Sequence, residues 1–199
     1  LMRLLNDLLD VSKVEAGKMT LELIPFSIRR TISHSVREFA MIAHRKGLEV
    51  LYQVDDDVPD RVIGDPGRLR QVLVNLISNA VKFTESGEVE VAVEARDDVA
   101  GLAENDLRLH VCVRDTGIGI PRERKELIFD AFTQSDASIG RAYGGVGLGL
   151  TISRQLIEMM QGRMWVESEE GEGSKFHFEV TLEKDVGKAR ALAAVAAEN

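Results

Sequence analysis

Asn75 and Asn79 stand four residues apart in "NLISNAVKF", residues 75–83, amid Leu, Ile, Val and Phe. In a helix that spacing puts both on one face, although asparagine is a mediocre helix former. Lys82, three residues further on, falls on nearly the same side. Amide oxygens can ligate hard cations, and a lysine ammonium suits phosphate. Read alone, the pair fits equally well two polar residues that satisfy the backbone or each other.

A second stretch is "VRDTGIGI", residues 113–120. An apolar strand ends in Asp115, and the chain turns on Gly117 and Gly119. A buried carboxylate at a strand end can accept a hydrogen bond from an exocyclic amine. Glycines beside it let a flat ring approach the backbone. Read alone, a plain turn is the commoner meaning of such a pattern.

A third is "RAYGGVGLGL", residues 141–150, which leads into the amphipathic "TISRQLIEMM". Four glycines ahead of a helix start suit an anion site, because unpaired N–H groups and the positive dipole end point outward there. A flexible linker would explain the glycines but not their alternation with Val and Leu.

Other nucleotide and catalytic patterns are absent. There is no G-x-x-x-x-G-K-[ST] and no G-x-G-x-x-G after a first strand. The serine/threonine kinase set, G-x-S-x-G and H-E-x-x-H are missing too.

These stretches need elements to hold them. Residues 1–16 read as a helix closed by Gly17, and "MTLELIPF" as a short edge strand that stops at Pro25. Ser27 caps a helix over 28–46 that Gly47 closes. "LEVLYQV" is a strand, followed by an acidic turn at Asp55–Pro59. Asp65 and Pro66 open a helix that runs to Phe83. "EVEVAVEA" and "LRLHVCVRD" alternate as strands, with a polar loop between them. A short helix covers 121–129, residues 130–146 are irregular, and a helix follows over 147–161. "RMWVESEE" and "SKFHFEVTLE" form a last hairpin. The expected fold is α/β (α+β), a two-layer sandwich. A mixed, mostly antiparallel sheet carries helices on one face. Its other face shows Glu, Arg and His and can be solvated.

The 199 residues suit one domain with a small appendage. A net charge of −8 argues against a general nucleic-acid binder. No apolar run approaches the roughly 20 residues of a membrane span. Cys112 is the only cysteine, which leaves no intrachain disulfide and makes a reducing cytosolic compartment the default. The chain opens on Leu in mid-helix, as a piece of a longer protein would. The Ala-rich tail reads as a frayed helix or linker.

With "FDAFTQ" (129–134) between the second and third, the stretches occur in one order. They closely resemble the catalytic ATP-binding domain of sensor histidine kinases, in the gyrase, chaperone and kinase ATPase superfamily. "NLISNAVKF" is similar to the N box, "DTGIGI" to the first glycine box, "FDAFTQ" to the F box and "GGVGLGL" to the second glycine box. The resemblance covers about 20–183 and implies a Bergerat ATP-binding fold. "LLNDLLDVSKVEAGKMTLE" is similar to the end of the second dimerisation helix, especially in hybrid kinases. The implied organisation is 1–18 from that helix, 19–184 the catalytic domain and 185–199 a tail or linker.

By this resemblance Asn79 is the Mg²⁺ ligand at the ATP phosphates, Asn75 supports it, and Lys82 contacts phosphate. Asp115 accepts from the adenine amine, with Gly117, Gly119, Ile120 and Phe83 around the ring. Phe129 and Phe132 anchor a mobile lid over 130–146. Gly144, Gly145, Val146, Gly147 and Gly149 form its hinge and the triphosphate end, and Leu148 and Leu150 turn into the core. Gyrase-like relatives place a glutamate base where Asn75 stands. An amide cannot take that proton, so ATP should be held rather than rapidly hydrolysed.

None of His34, His44, His110 and His177 matches the phosphoacceptor motif. The first two read as exposed helix residues and the others as solvated strand positions. The implied acceptor lies upstream, on the parent's own dimerisation domain. The implied parent is a homodimer that signals to a response-regulator receiver domain. This part is expected to be cytoplasmic, whether or not the parent is membrane-anchored. The alternatives are a nucleotide-binding regulatory module without phosphotransfer, or a serine kinase of the same superfamily.

Overall fold

The computed structural model describes residues 9–10, 12–14, 16–96, 101–130 and 148–187. Helix α1 (Ile28–Lys46) starts where the Ser27 hydroxyl accepts from the Arg30 N–H, and it stops at Gly47 with φ 72°. Helix α2 (Pro66–Phe83) starts at Asp65, whose Oδ1 accepts from the Arg68 N–H at 2.9 Å. Both lie where the caps in the sequence predict. Helix α3 (Gly149–Met159) begins two residues later than expected, and Gly147 is outside the described residues.

The strands are β1 (Ile24–Ser27), β2 (Leu48–Val54), β3 (Arg61–Gly64), β4 (Gly87–Arg96), β5 (Asp106–Asp115), β6 (Arg163–Glu169) and β7 (Gly173–Lys184). They form one sheet in the order β1-β3-β7-β5-β4-β2, and β6 also pairs with β7. Among the described residues only β2 and β4 pair in parallel; the other pairs are antiparallel. β7 is long enough to pair with β5 along one edge and with β6 and then β3 along the other.

Inward residues of the central strands, among them Val91, Leu109, Val111 and Phe178, are fully buried. They meet Ile32 of α1, Leu69, Leu73 and Ile77 of α2, and Leu156 and Ile157 of α3 in one core. Each such side chain contributes about 1.5–3 kcal/mol through its burial. The expected two-layer sandwich is therefore the observed one.

Four local expectations are corrected. The first strand begins at Ile24 rather than Met19. The preceding chain is instead tied to a helix cap, with the Glu22 N–H donating to Asp65 Oδ2 at 2.9 Å. Pro25 does not stop the strand as expected: it lies inside β1, which runs on to Ser27 and tolerates it because β1 is an edge strand. "RVIG", β3, was hidden between the acidic turn and the α2 cap; four residues are too few for alternation to show. The helix expected over 121–129 is two separate 3₁₀ turns, Arg122–Arg124 and Leu127–Phe129.

The fourth correction concerns the open face of the sheet. His34 and His44 are exposed as expected, but His110 and His177 are only 6% and 9% exposed. His177 faces Trp165 across β6–β7, and the rings lie 5.0 Å apart and nearly parallel. His110 Nε2 and His177 Nδ1 are 3.2 Å apart. The large indole covers a row that the alternation pattern left open to water. Burial is the main cause that lowers both histidine pKa values.

At the chain start, residues 9–10 and 12–14 are helical, and Gly17 follows with φ 62°. Asp10 ties them to α2, its Oδ2 accepting from Arg68 Nη1 and Gln71 Nε2, both at 2.9 Å.

Candidate functional site

Helix α2 carries Asn75, Asn79, Lys82 and Phe83 on a half-buried stripe beside its fully buried core residues. About 6 Å of helix axis separates the two asparagines. The Lys82 ammonium lies 4.6 Å from the Phe83 ring centroid, and burial lowers its pKa. The end of α2 is tied down by the last residue of α1. Lys46 Nζ donates to the carbonyls of Val81, Lys82 and Thr84 at 2.7, 3.1 and 3.3 Å.

Asp115 ends β5 and is 6% exposed. Burial pushes its carboxyl up, while hydrogen bonds from the backbone of Gly117 and Ser174 pull it down. The Gly117 bond is 2.9 Å, to Oδ1. Ser174 stands opposite Asp115 in the β5–β7 register.

The turn after Asp115 packs against two other parts of the chain. Ile118 N–H donates to Phe83 O at 3.3 Å, joining the turn to the end of α2. A methyl group on Gly117 would lie 2.4 Å from the same carbonyl. Gly119 has φ 68°, and a methyl there would lie 1.9 Å from Glu169 O. The chain's own packing therefore requires both glycines. Ile120 N–H donates to Ser168 Oγ at 2.8 Å, and that hydroxyl donates to Gly173 O at 2.7 Å. The β6–β7 hairpin thus fixes the turn.

The start of α3 closes the arrangement. Its N-cap residue, Leu148, has no side-chain acceptor for the helix N–H groups. Such an end attracts anions. Leu148 is buried, and Leu150 packs against the core. Gly149 lies against α2: a methyl there would be 2.3 Å from Asn75 Oδ1. Asn75 Nδ2 donates to Ser153 Oγ at 3.0 Å.

The three sequence stretches therefore converge. α2 supplies Asn75, Asn79, Lys82 and Phe83; the β5 end supplies Asp115, Gly117, Gly119 and Ile120; α3 supplies Leu148, Gly149 and Leu150. Phe132, Gly144, Gly145, Val146 and Gly147, and all of the expected lid but Asp130, lie outside the described residues. Phe129 is 8% exposed, with the Arg154 guanidinium 5.8 Å from its ring centroid.

Sequence reasoning missed Ser153, Ser168 and Ser174. Ser153 gave a usable signal, a polar residue between Ile152 and Leu156 on the buried face of α3. The other two depend on strand register, which no local pattern reveals. Among the described residues, no group of three or more His, Cys, Asp or Glu side chains could hold a metal ion. No helix among them is long and apolar enough to cross a membrane.

The family of histidine kinase-, DNA gyrase B- and HSP90-like ATPases matches residues 64–184. The signal transduction histidine-protein kinase BarA of Escherichia coli is 46% identical over 183 residues, covering 92% of this chain and 20% of that protein. The hybrid signal transduction histidine kinase L of Dictyostelium discoideum is 42% identical over 177 residues, 88% of this chain and 10% of that protein. The chain thus spans a fifth or less of the length of these curated relatives. Full-length ShkA, crystallised with AMPPNP, superposes with a TM-score of 0.77 at 35% identity, covering 92% of this chain and 36% of that one. The chain belongs to the histidine kinase-, DNA gyrase B- and HSP90-like ATPase family, as a histidine kinase ATP-binding catalytic domain.

Proposed function

We propose that this domain binds Mg-ATP between α2, the β5 end and the start of α3, and transfers the γ-phosphoryl group to a histidine on a dimerisation domain. The observation that carries this reading is the joint at Asn75. It brings the uncapped start of α3 against the same helix whose other end is bonded to the turn after Asp115. A triphosphate with an adenine needs both ends at once. The donor set fits: amide oxygen for a hard cation, ammonium and helix N–H groups for phosphate, and a carboxylate for an amine.

Asn79 holds the metal, which neutralises charge on the phosphates. Lys82 and the first N–H groups of α3 contact phosphate. Asp115, when ionised, accepts from the adenine amine, with Phe83, Gly117, Gly119 and Ile120 about the ring. Phe132 and the stretch Gly144–Gly147 belong to the lid in this reading, ending in Leu148, Gly149 and Leu150. Asn75 cannot remove a proton from water, which favours transfer over hydrolysis. Catalysis is then mainly positioning and charge stabilisation.

Residues 1–18 are the end of a dimerisation helix, 19–184 the catalytic domain and 185–199 a tail or linker. Asp10, bound to Arg68 and Gln71, is the contact that holds the first part on the second. The parent is a cytoplasmically signalling homodimer whose partner is a receiver domain.

The test mixes the 199-residue chain, labelled ATP and a separately made dimerisation domain with its acceptor histidine. Acid-labile, base-stable label on that domain supports the reading. Measurable ATP binding with no label transfer would favour a regulatory module, and acid-stable label would favour a serine kinase.

A further inference from the structure

Asn75 is joined to two residues of another helix. Its Nδ2 donates to Ser153 Oγ, and its side chain lies against Gly149, one turn earlier on α3. Gly149 and Ser153 are four residues apart, so they share a face of α3. Ser153 is 2% exposed, between the core residues Ile152 and Leu156.

A side-chain amide has two unlike ends, donors at nitrogen and acceptors at oxygen. The bond to Ser153 directs the nitrogen along α3, and Oδ1 then faces the first turn at Gly149. A built methyl on Gly149 lies 2.3 Å from Oδ1 and 3.1 Å from Nδ2, so the oxygen is the nearer atom. The first turn of a helix presents N–H donors. An oxygen is compatible with them, and an amide NH₂ in its place would set donors against donors. Two glycine hydrogens instead of a side chain are what allow the helices to come this close.

We propose that Ser153 is a positioning residue for the phosphate end of the site. It fixes the orientation of the Asn75 amide, and with it the distance between the start of α3 and the stripe that carries Asn79 and Lys82. Ser153 thereby sets affinity for the complex of a divalent cation with a nucleoside triphosphate, more than affinity for the nucleotide alone. This inference rests on the Mg-ATP reading above.

The experiment measures AMPPNP binding to the 199-residue chain by calorimetry, with Mg²⁺ and with EDTA. Ser153→Ala should weaken binding about fivefold with Mg²⁺ and change it less than about twofold with EDTA, a scale expected of one neutral hydrogen bond. Ser153→Thr, which keeps the hydroxyl, should restore the Mg²⁺-dependent gain. In an Asn75→Ala background, Ser153→Ala should add nothing. In the nucleotide-free protein, the Asn75 side-chain NH₂ resonances should show protection from exchange that Ser153→Ala removes. Equal weakening with and without Mg²⁺, additive losses or unchanged Asn75 resonances would overturn the proposal. A wild-type chain that binds AMPPNP with no gain from Mg²⁺ would overturn the metal reading, and this proposal with it.

Discussion

A methyl group on Gly149 would lie 2.3 Å from Asn75 Oδ1, closer than nonbonded carbon and oxygen come. The contact joins the start of α3 to α2, 74 residues earlier in the chain. Gly149→Ala should therefore displace either Asn75 or the first turn of α3. Overpacking of this kind costs about 1–3 kcal/mol, to be read as a lower midpoint in denaturant unfolding. Mg-ATP affinity should fall about tenfold or more in calorimetry. Wild-type affinity and stability in the variant would mean that the joint is loose.

Asn79→Asp should weaken Mg-ATP binding by about tenfold, or 1.4 kcal/mol. At the proposed site the added negative charge would face the phosphates, and the neutral amide oxygen would be lost. Calorimetry reads the change directly; unchanged affinity would remove Asn79 from the site.

Asp115→Asn keeps the shape of the side chain but replaces one acceptor oxygen with a donor NH₂. The native carboxylate already accepts from Gly117 and Ser174, so a donor there also faces two N–H groups. ATP affinity should drop at least tenfold while GTP affinity changes little. Competition between the two nucleotides for a fluorescent analogue measures the ratio. A preserved preference for ATP would place the base elsewhere.

The stacked histidines make stability depend on pH. Burial holds both His110 and His177 below the ordinary value of 6.5. The unfolded chain then binds protons more readily, so stability is complete above 6.5 and falls as pH drops toward the lowered folded values. Glu94, Glu167 and Glu179 face the pair and temper the loss, while Arg96 and Lys175 add to it. Unfolding midpoints should decline between pH 7 and 5, and His110→Gln should flatten the decline. An identical slope in the variant would place the dependence elsewhere.

Much of this was legible because it is local. Ser27, Gly47, Asp65 and Pro66 act within a turn of themselves, so α1 and α2 begin and end where their caps sit. The period of two in β4 and β5 likewise needs no partner to be read. Asn75 stood out because a polar residue on an apolar face is costly unless something answers it. What answers it, Ser153, lies 78 residues away on another helix. The His110–His177–Trp165 stack was illegible for the same reason. Alternation says which face a residue takes, and cross-strand register says what covers it there. β3 escaped because its four residues lie between a turn and a cap.

One nuclear magnetic resonance titration tests the proposed location of the nucleotide most directly. The ¹⁵N-labelled 199-residue chain is titrated with AMPPNP and Mg²⁺. Saturable shifts are expected at Asn75, Asn79, Lys82, Asp115, Gly117 and Gly149, with little change at His110, His177 and Cys112 on the opposite sheet face. Shifts confined to that open face, with the α2 and α3 resonances unmoved, would contradict that location.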